Sequence, residues 1–128
     1  MSRPANVRYL ESHEWARRDG AEIVVGITDF AVQALGDLTF VDLPAAGKAV
    51  TKGAAFGEIE SVKAVSDINA PVSGTVVKVN EGLAKDLAPL AADPFGAGWM
   101  LRIKPSAPAE FDTLLDGAGY DKVCAEGH

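Results

Sequence analysis

Cysteine is almost missing. The single thiol of Cys124 in 128 residues rules out an internal disulfide and fits a reducing compartment. Histidine is as scarce: His13 and His128, with that one cysteine near the tail, have no metal-ligand spacing. No apolar run approaches the roughly 20 residues needed to span a bilayer. The opening Met1-Ser-Arg-Pro-Ala-Asn-Val lacks the apolar core of a secretory signal, so a cytoplasmic form is expected. Positive charge is in deficit, with 12 Lys and Arg against 18 Asp and Glu, for a net charge of −6. Such a chain repels nucleic acid and anionic membranes and is steered toward positively charged surfaces on protein partners. There is no glycine-rich dinucleotide loop and no assembled catalytic triad, so the reading is a non-catalytic protein.

What is present describes an ordinary globular domain. Hydrophobic residues make up 48% and charged residues 23%, enough for one core over residues 1–128. Residues 1–6 and 126–128 are expected to be mobile ends, and the chain a monomer. Val7 to Leu10, Glu14 to Arg18 and Ala21 to Ile27 read as strands, with Asp19-Gly20 as a hairpin turn. Thr28 suits the cap of a short helix over Asp29 to Leu35 that Gly36 stops. In it Phe30, Ala34 and Leu35 would face the core, and Asp29 and Gln33 water.

Asp37 to Leu43 reads as a strand buried on much of both faces. Pro44-x-x-Gly47-x-x-Val50 recurs as Pro71-x-x-Gly74-x-x-Val77, as equivalent turns of a flattened barrel would. Gly74 to Val79 and Gly98 to Ile103 are further strands, separated by a loop with no clear period. Pro108 opens a helix through Leu115 with Gly117 as its stop, and a shorter helical turn follows from Tyr120 to Ala125. Strands outnumber helices, and no helix joins successive strands as a parallel sheet requires. The fold class is mainly β: an antiparallel barrel–sandwich hybrid with a short inserted helix and a C-terminal helix.

The stretch Phe56 to Pro71 reads as two strands meeting at a tight turn with Lys63 at its tip. Phe56, Ile59, Val62, Val65 and Ile68 suit a half-buried pleated surface. Glu58, Glu60 and Asp67 surround the lysine, which argues against a phosphate contact. By residue type alone Lys63 reads first as a solvated charge in a turn. Its flanking sequence adds more. Glu60-Ser61-Val62-Lys63-Ala64, then Ser66-Asp67 and Pro71-Val72-Ser73-Gly74, resembles the lipoylation segment of glycine cleavage system H proteins. Ser12-His13-Glu14-Trp15, Val25-Gly26-Ile27-Thr28-Asp29, Asp93-Pro94-Phe95 and Gly98-Trp99-Met100 match in the same order, so the resemblance spans Tyr9 to Tyr120.

That resemblance implies lipoate in amide linkage to Lys63. In the family the strained dithiolane accepts an aminomethyl group from glycine on a pyridoxal-phosphate decarboxylase. A tetrahydrofolate-dependent aminomethyltransferase removes the one-carbon unit, and dihydrolipoamide dehydrogenase reoxidises the dithiol. Lipoyl-attaching enzymes are implied as further partners. The loaded arm is understood to rest in a cleft, and Ser12, Glu14 and Asp67 match positions associated with it. Carboxylates there would hold a cationic amine. The plainer readings are Ser12 as a turn residue, Glu14 as an exposed strand carboxylate and Asp67 as hairpin polarity.

Alternatives within carriers are a relay supplying lipoyl groups to other complexes and a biotinyl carrier, although Val62 and Ala64 stand where biotinyl carriers have methionines. Outside carriers, the alternative is an unmodified β-rich interaction module. His13 is expected to pack or hydrogen-bond beside Trp15 rather than to titrate in catalysis, Trp15 and Trp99 to line core or cleft, and Cys124 to be an incidental thiol near a mobile end. Residues 82–92 depart from the family's usual loop.

Overall fold

The computed structural model describes residues 6–126. The expectations about residues 1–5, 127 and 128, including the leader reading and His128, lie outside the described residues. At the end that is described, the Glu126 amide bonds to the carbonyls of Lys122 and Val123, so residue 126 closes a helix.

Two antiparallel sheets carry the fold. The larger has the order β1 (Val7–Tyr9), β2 (Glu14–Asp19), β3 (Glu22–Ile27), β9 (Leu101–Pro105), β8 (Gly74–Val79) and β5 (Ala49–Val50). The smaller has the order β4 (Leu38–Asp42), β6 (Ala55–Ser61) and β7 (Val65–Asn69). Strand β3 lies between two neighbours and under cover on both faces. Its run Ile23-Val-Val-Gly-Ile27 is therefore apolar throughout rather than alternating. The turn before it is the expected hairpin, with Gly20 at φ 61 and Asp19 opposite Glu22.

Helix α1 (Asp29–Leu35) leads from the large sheet to the small one. Thr28 caps it by accepting from the Ala31 N–H at 3.2 Å, and Gly36 at φ 77 ends it. Asp29 is buried rather than facing water. It sits in the first turn, where the helix's free N–H groups favour a carboxylate, while Ala34 is exposed and Val32 takes the core position.

The alternation of β1 to β3 divides the core. Ala16, Ile23 and Val25 join residues of both sheets in the main cluster, including Ile59, Ile68 and Ile103. Trp15 and Val24 point the other way, into a second cluster with Tyr9, Tyr120 and Val123. Gly26 makes room for that arrangement, because a Cβ there would stand 2.7 Å from the Trp15 ring.

Several expectations are corrected. Strand β4 buries Val41 alone; Phe40 is 49% exposed, because β4 is an edge strand with one face toward solvent. The last strand begins at Leu101 rather than Gly98. Residues 83–98 are not a bare loop: a 3-10 turn (Glu81–Ala84) and helix α2 (Ala88–Ala92) pin Leu83 and Leu90 into the core. The helix begun near Pro108 lasts only Ala109–Asp112 (α3). Gly117 does not stop it. Asp116 accepts from the Gly119 N–H at 2.8 Å and opens α4 (Gly117–Ala125), so that Gly117 starts the longest helix.

The Pro-x-x-Gly-x-x-Val repeats do not occupy equivalent environments. They pair with each other, Val50 opposite Gly74, and Val50 is buried where Val77 is 39% exposed.

Candidate functional site

Strands β6 and β7 form the expected finger. Ile59 and Ile68 anchor its base in the main core, and Glu60 stands opposite Val65 just below the tip. Between Ser61 and Ala64 the chain reverses over Val62 and Lys63. The Ser61 N–H donates to the Ala64 carbonyl at 2.8 Å. The Ser61 hydroxyl accepts from the N–H groups of Lys63 and Ala64 at 3.4 and 3.2 Å, a serine organising its own turn. The Val62 N–H donates to the Asp37 carbonyl at 3.0 Å, which ties the tip to the start of β4. Lys63 is exposed on this braced reversal.

Val62 and Val65, expected to be half-buried, are 72% and 58% exposed, because the finger projects beyond the sheet that covers its base. The register sets Asp42, Glu58 and Asp67 side by side across β4, β6 and β7. Like charges this close repel, and they make one flank of the finger acidic.

Beside the finger lies a cleft of about 130 Å³. Ser12, Glu14 and Asp67 all line it, together with apolar Ile27, Ala31, Leu35 and Ile59. The three residues are 55 positions apart at the extremes and meet only through the fold. Glu14 is not an exposed strand carboxylate: it is 1% exposed at the start of β2. Ser12 Oγ donates to its Oε1, and the Asn69 N–H donates to its Oε2 at 2.8 Å. Burial nonetheless dominates and pushes the carboxyl up to about 7 from the ordinary 4.5, against the lowering effect of those two hydrogen bonds.

Asn69 was not singled out by the sequence. Besides its N–H, its side-chain amide donates to Ser12 Oγ at 3.3 Å, so it completes a Ser12–Glu14–Asn69 triangle. The signal available was the polar Asn69 next to buried Ile68 and just before Ala70-Pro71, where the second strand of the finger ends. A larger groove, about 410 Å³, lies between the end of β4, residues 43–46 and residues 79–84, and shares no lining residue with the cleft.

Comparison with known proteins bears on this geometry. A profile of the glycine cleavage H-protein family matches residues 7–127. The chain belongs to the glycine cleavage H-protein family. It is 50% identical over 126 residues to the glycine cleavage system H protein of Anaeromyxobacter sp. (strain K), covering 98% of each chain. It is also 50% identical over 120 residues to the mitochondrial glycine cleavage system H protein of Oryza sativa subsp. indica, covering 94% of this chain and 73% of that one. The crystal structure of a glycine cleavage system H protein from Mycobacterium marinum superposes with a TM-score of 0.87 at 42% identity, covering 95% of this chain and 98% of that one. The mainly β barrel–sandwich reading accordingly stands.

Within this family frame, four incidental residues differ from expectation or gain a location. His13 packs not beside Trp15 but on Phe30, ring centroids 4.7 Å apart, and it lines the cleft. Its backbone, at φ 80, turns the ring away from the direction β2 gives Trp15. Trp15 is fully buried, its Nε1–H donating to the Pro94 carbonyl at 3.0 Å, and does not line the cleft. Trp99 packs against the same second cluster. So does Cys124, which α4 holds half-buried rather than at a loose end.

Proposed function

We propose that this chain is a lipoyl-bearing carrier of the glycine cleavage system, a non-catalytic component with the cofactor in amide linkage to Lys63. It would move the aminomethyl group of glycine between the pyridoxal-phosphate decarboxylase, the tetrahydrofolate aminomethyltransferase and dihydrolipoamide dehydrogenase. The observation that carries this reading is a single exposed lysine on a braced hairpin tip beside a cleft that holds a buried carboxyl. When bound, the lipoyl group supplies a strained disulfide that can be opened, loaded and closed again.

The residues present fit that group. An exposed amine on a flexible four-carbon stem is open to a lipoyl-attaching enzyme, and acylation removes its charge. From Lys63 to Asp67 is about 13 Å at ~3.3 Å per strand residue, so an arm anchored at the tip can turn back along β7 into the cleft. There Ile27, Ala31, Leu35 and Ile59 provide apolar walls for a hydrocarbon arm, while Glu14 and Asp67 offer carboxylates to a cationic amine. Ser12 and Asn69 hold the Glu14 carboxyl in place. The acidic flank of Asp42, Glu58 and Asp67 suits partners whose docking surfaces are basic. No helix among the described residues is long and apolar enough to cross a membrane; the compartment proposed is the cytoplasm.

The deciding experiment is intact-mass measurement with peptide mapping of protein from lipoate-replete cells. A lipoyl-amide mass gain on Lys63, lost in Lys63→Arg, is expected, and Lys63→Arg should stop glycine–bicarbonate exchange in a reconstituted system. An unmodified Lys63, or undiminished exchange by the Arg variant, would refute the reading. For the cleft, Glu14→Ala in loaded protein should speed the release of formaldehyde; an unchanged rate removes Glu14 from that role.

A further inference from the structure

Tyr120 belongs by its ring to one part of the molecule and by its oxygen to another. The ring is fully buried in the second cluster and stacks on Tyr9, centroids 4.4 Å apart and planes 8° from parallel. Packing of that kind makes no use of a hydroxyl, and phenylalanine would fill the same space. The oxygen lies 2.7 Å from His13 Nδ1 and 2.6 Å from Thr28 Oγ1. One partner, His13, lines the cleft, and the other, Thr28, caps α1, a helix that walls it with Ala31, Ala34 and Leu35.

The three groups close on one another. The Thr28 N–H donates to the His13 carbonyl at 3.0 Å, and the His13 ring lies on Phe30 in the first turn of α1. His13 also sits at φ 80, a left-handed conformation that a non-glycine residue keeps only when its surroundings hold it there. One phenolic oxygen is therefore the meeting point of α4, the residue between Ser12 and Glu14, and the start of α1.

We propose that Tyr120 is a positioning residue for the cleft: through its hydroxyl the C-terminal helix fixes the His13 wall against the start of α1, and so sets how well the cleft holds the arm carried by Lys63. This rests on the carrier reading above. Tyr120 acts through His13 and Thr28 and does not itself line the cleft. The finger depends on none of these contacts, because the hydrogen bonds that shape its tip run within 61–64 and to Asp37. Retention of cargo and presentation of Lys63 are thus separable, and α4 governs only the first.

The test uses Tyr120→Phe, His13→Asn and the double variant; asparagine is chosen because it tolerates left-handed backbone. In the unmodified chain, NMR should show the His13 ring signals of Tyr120→Phe displaced while the amides of residues 61–65 stay in place. In the lipoylated, aminomethyl-loaded protein, formaldehyde release from Tyr120→Phe should be about three- to tenfold faster, the scale of one lost hydrogen bond. The double variant should be no faster than the quicker single one, since both act on the same wall, and lipoate ligase should modify Lys63 at the wild-type rate. Unmoved His13 signals, unchanged release, or effects that multiply in the double variant would overturn the proposal. Glu14→Ala separates the failures. If it speeds release and Tyr120→Phe does not, the bracing role falls and the carrier reading stands. If neither does, the arm does not rest in this cleft, and the roles of Tyr120 and Glu14 fall together; the carrier reading is decided separately, by the modification of Lys63.

Discussion

Replacing Glu14 with glutamine should remove a pH dependence from the stability of the whole domain. The carboxyl is 1% exposed and titrates near 7 rather than 4.5, chiefly because burial disfavours its charge. Between those two values the folded protein keeps a proton that the unfolded chain has released. Folding is therefore favoured on the acid side of the window, and that advantage is lost as pH rises through about 7. The rise from 4.5 to about 7 corresponds to about 3 kcal/mol, on the order of 10 °C in the melting midpoint of a domain this size. Glutamine keeps the shape and has no proton to lose.

Urea unfolding of both proteins from about pH 4.5 to about pH 8 makes the comparison, and the difference between the curves cancels every other titrating group. Wild type should lose about 3 kcal/mol relative to Glu14→Gln across that range. Two parallel curves would mean that the carboxyl is solvated in the folded state, and the reasoning about the cleft would fail with it.

Three further outcomes are expected. In the loaded carrier, cargo loss relative to Glu14→Gln should rise as pH falls through about 7, because a protonated Glu14 no longer attracts the amine; formaldehyde release against pH measures it, and a flat ratio refutes it. Gly57→Ala would put a Cβ 2.1 Å from the Asp42 carbonyl oxygen in the next strand, so it should cost about 3 kcal/mol by thermal melting, and a loss under half of that would mean β4 and β6 can separate cheaply. Ser61→Ala removes the hydroxyl that accepts from Lys63 and Ala64; it should slow modification of Lys63 by lipoate ligase a few-fold while lowering stability by under about 1 kcal/mol, and an unchanged ligation rate would show that the turn needs no such brace.

The strands, the Asp19-Gly20 turn, the Thr28 cap and the finger with Lys63 were legible because each is written in neighbouring residues: β-branched runs, a capping hydroxyl, a glycine at positive φ, a proline after the last strand residue. What escaped was decided by distant parts of the chain. Glu14 alternates like any strand carboxylate, and only β7, more than 50 residues later, and α1 close over it. Phe40 looks like core until β4 proves to be an edge. Asp116-Gly117 can end one helix or begin another, and the aromatic and apolar face of Tyr120 and Val123, docked on β1 and β2, selects the second. Ser12 and Asp67 were named through resemblance; Asn69 needed coordinates, since its main contribution is a backbone N–H.

The bond from Val62 to Asp37 and the serine-filled turn have a consequence for motion. A tip tied down on both sides does not sweep, so anything carried on Lys63 pivots about a fixed point. The wandering belongs to the side chain and its cargo alone, within a sphere whose centre the strands define. Inside that sphere a tethered group is present at an effective concentration in the millimolar range, whatever the abundance of the protein. A catalyst that docks near the finger therefore meets its substrate without waiting for a second diffusive encounter.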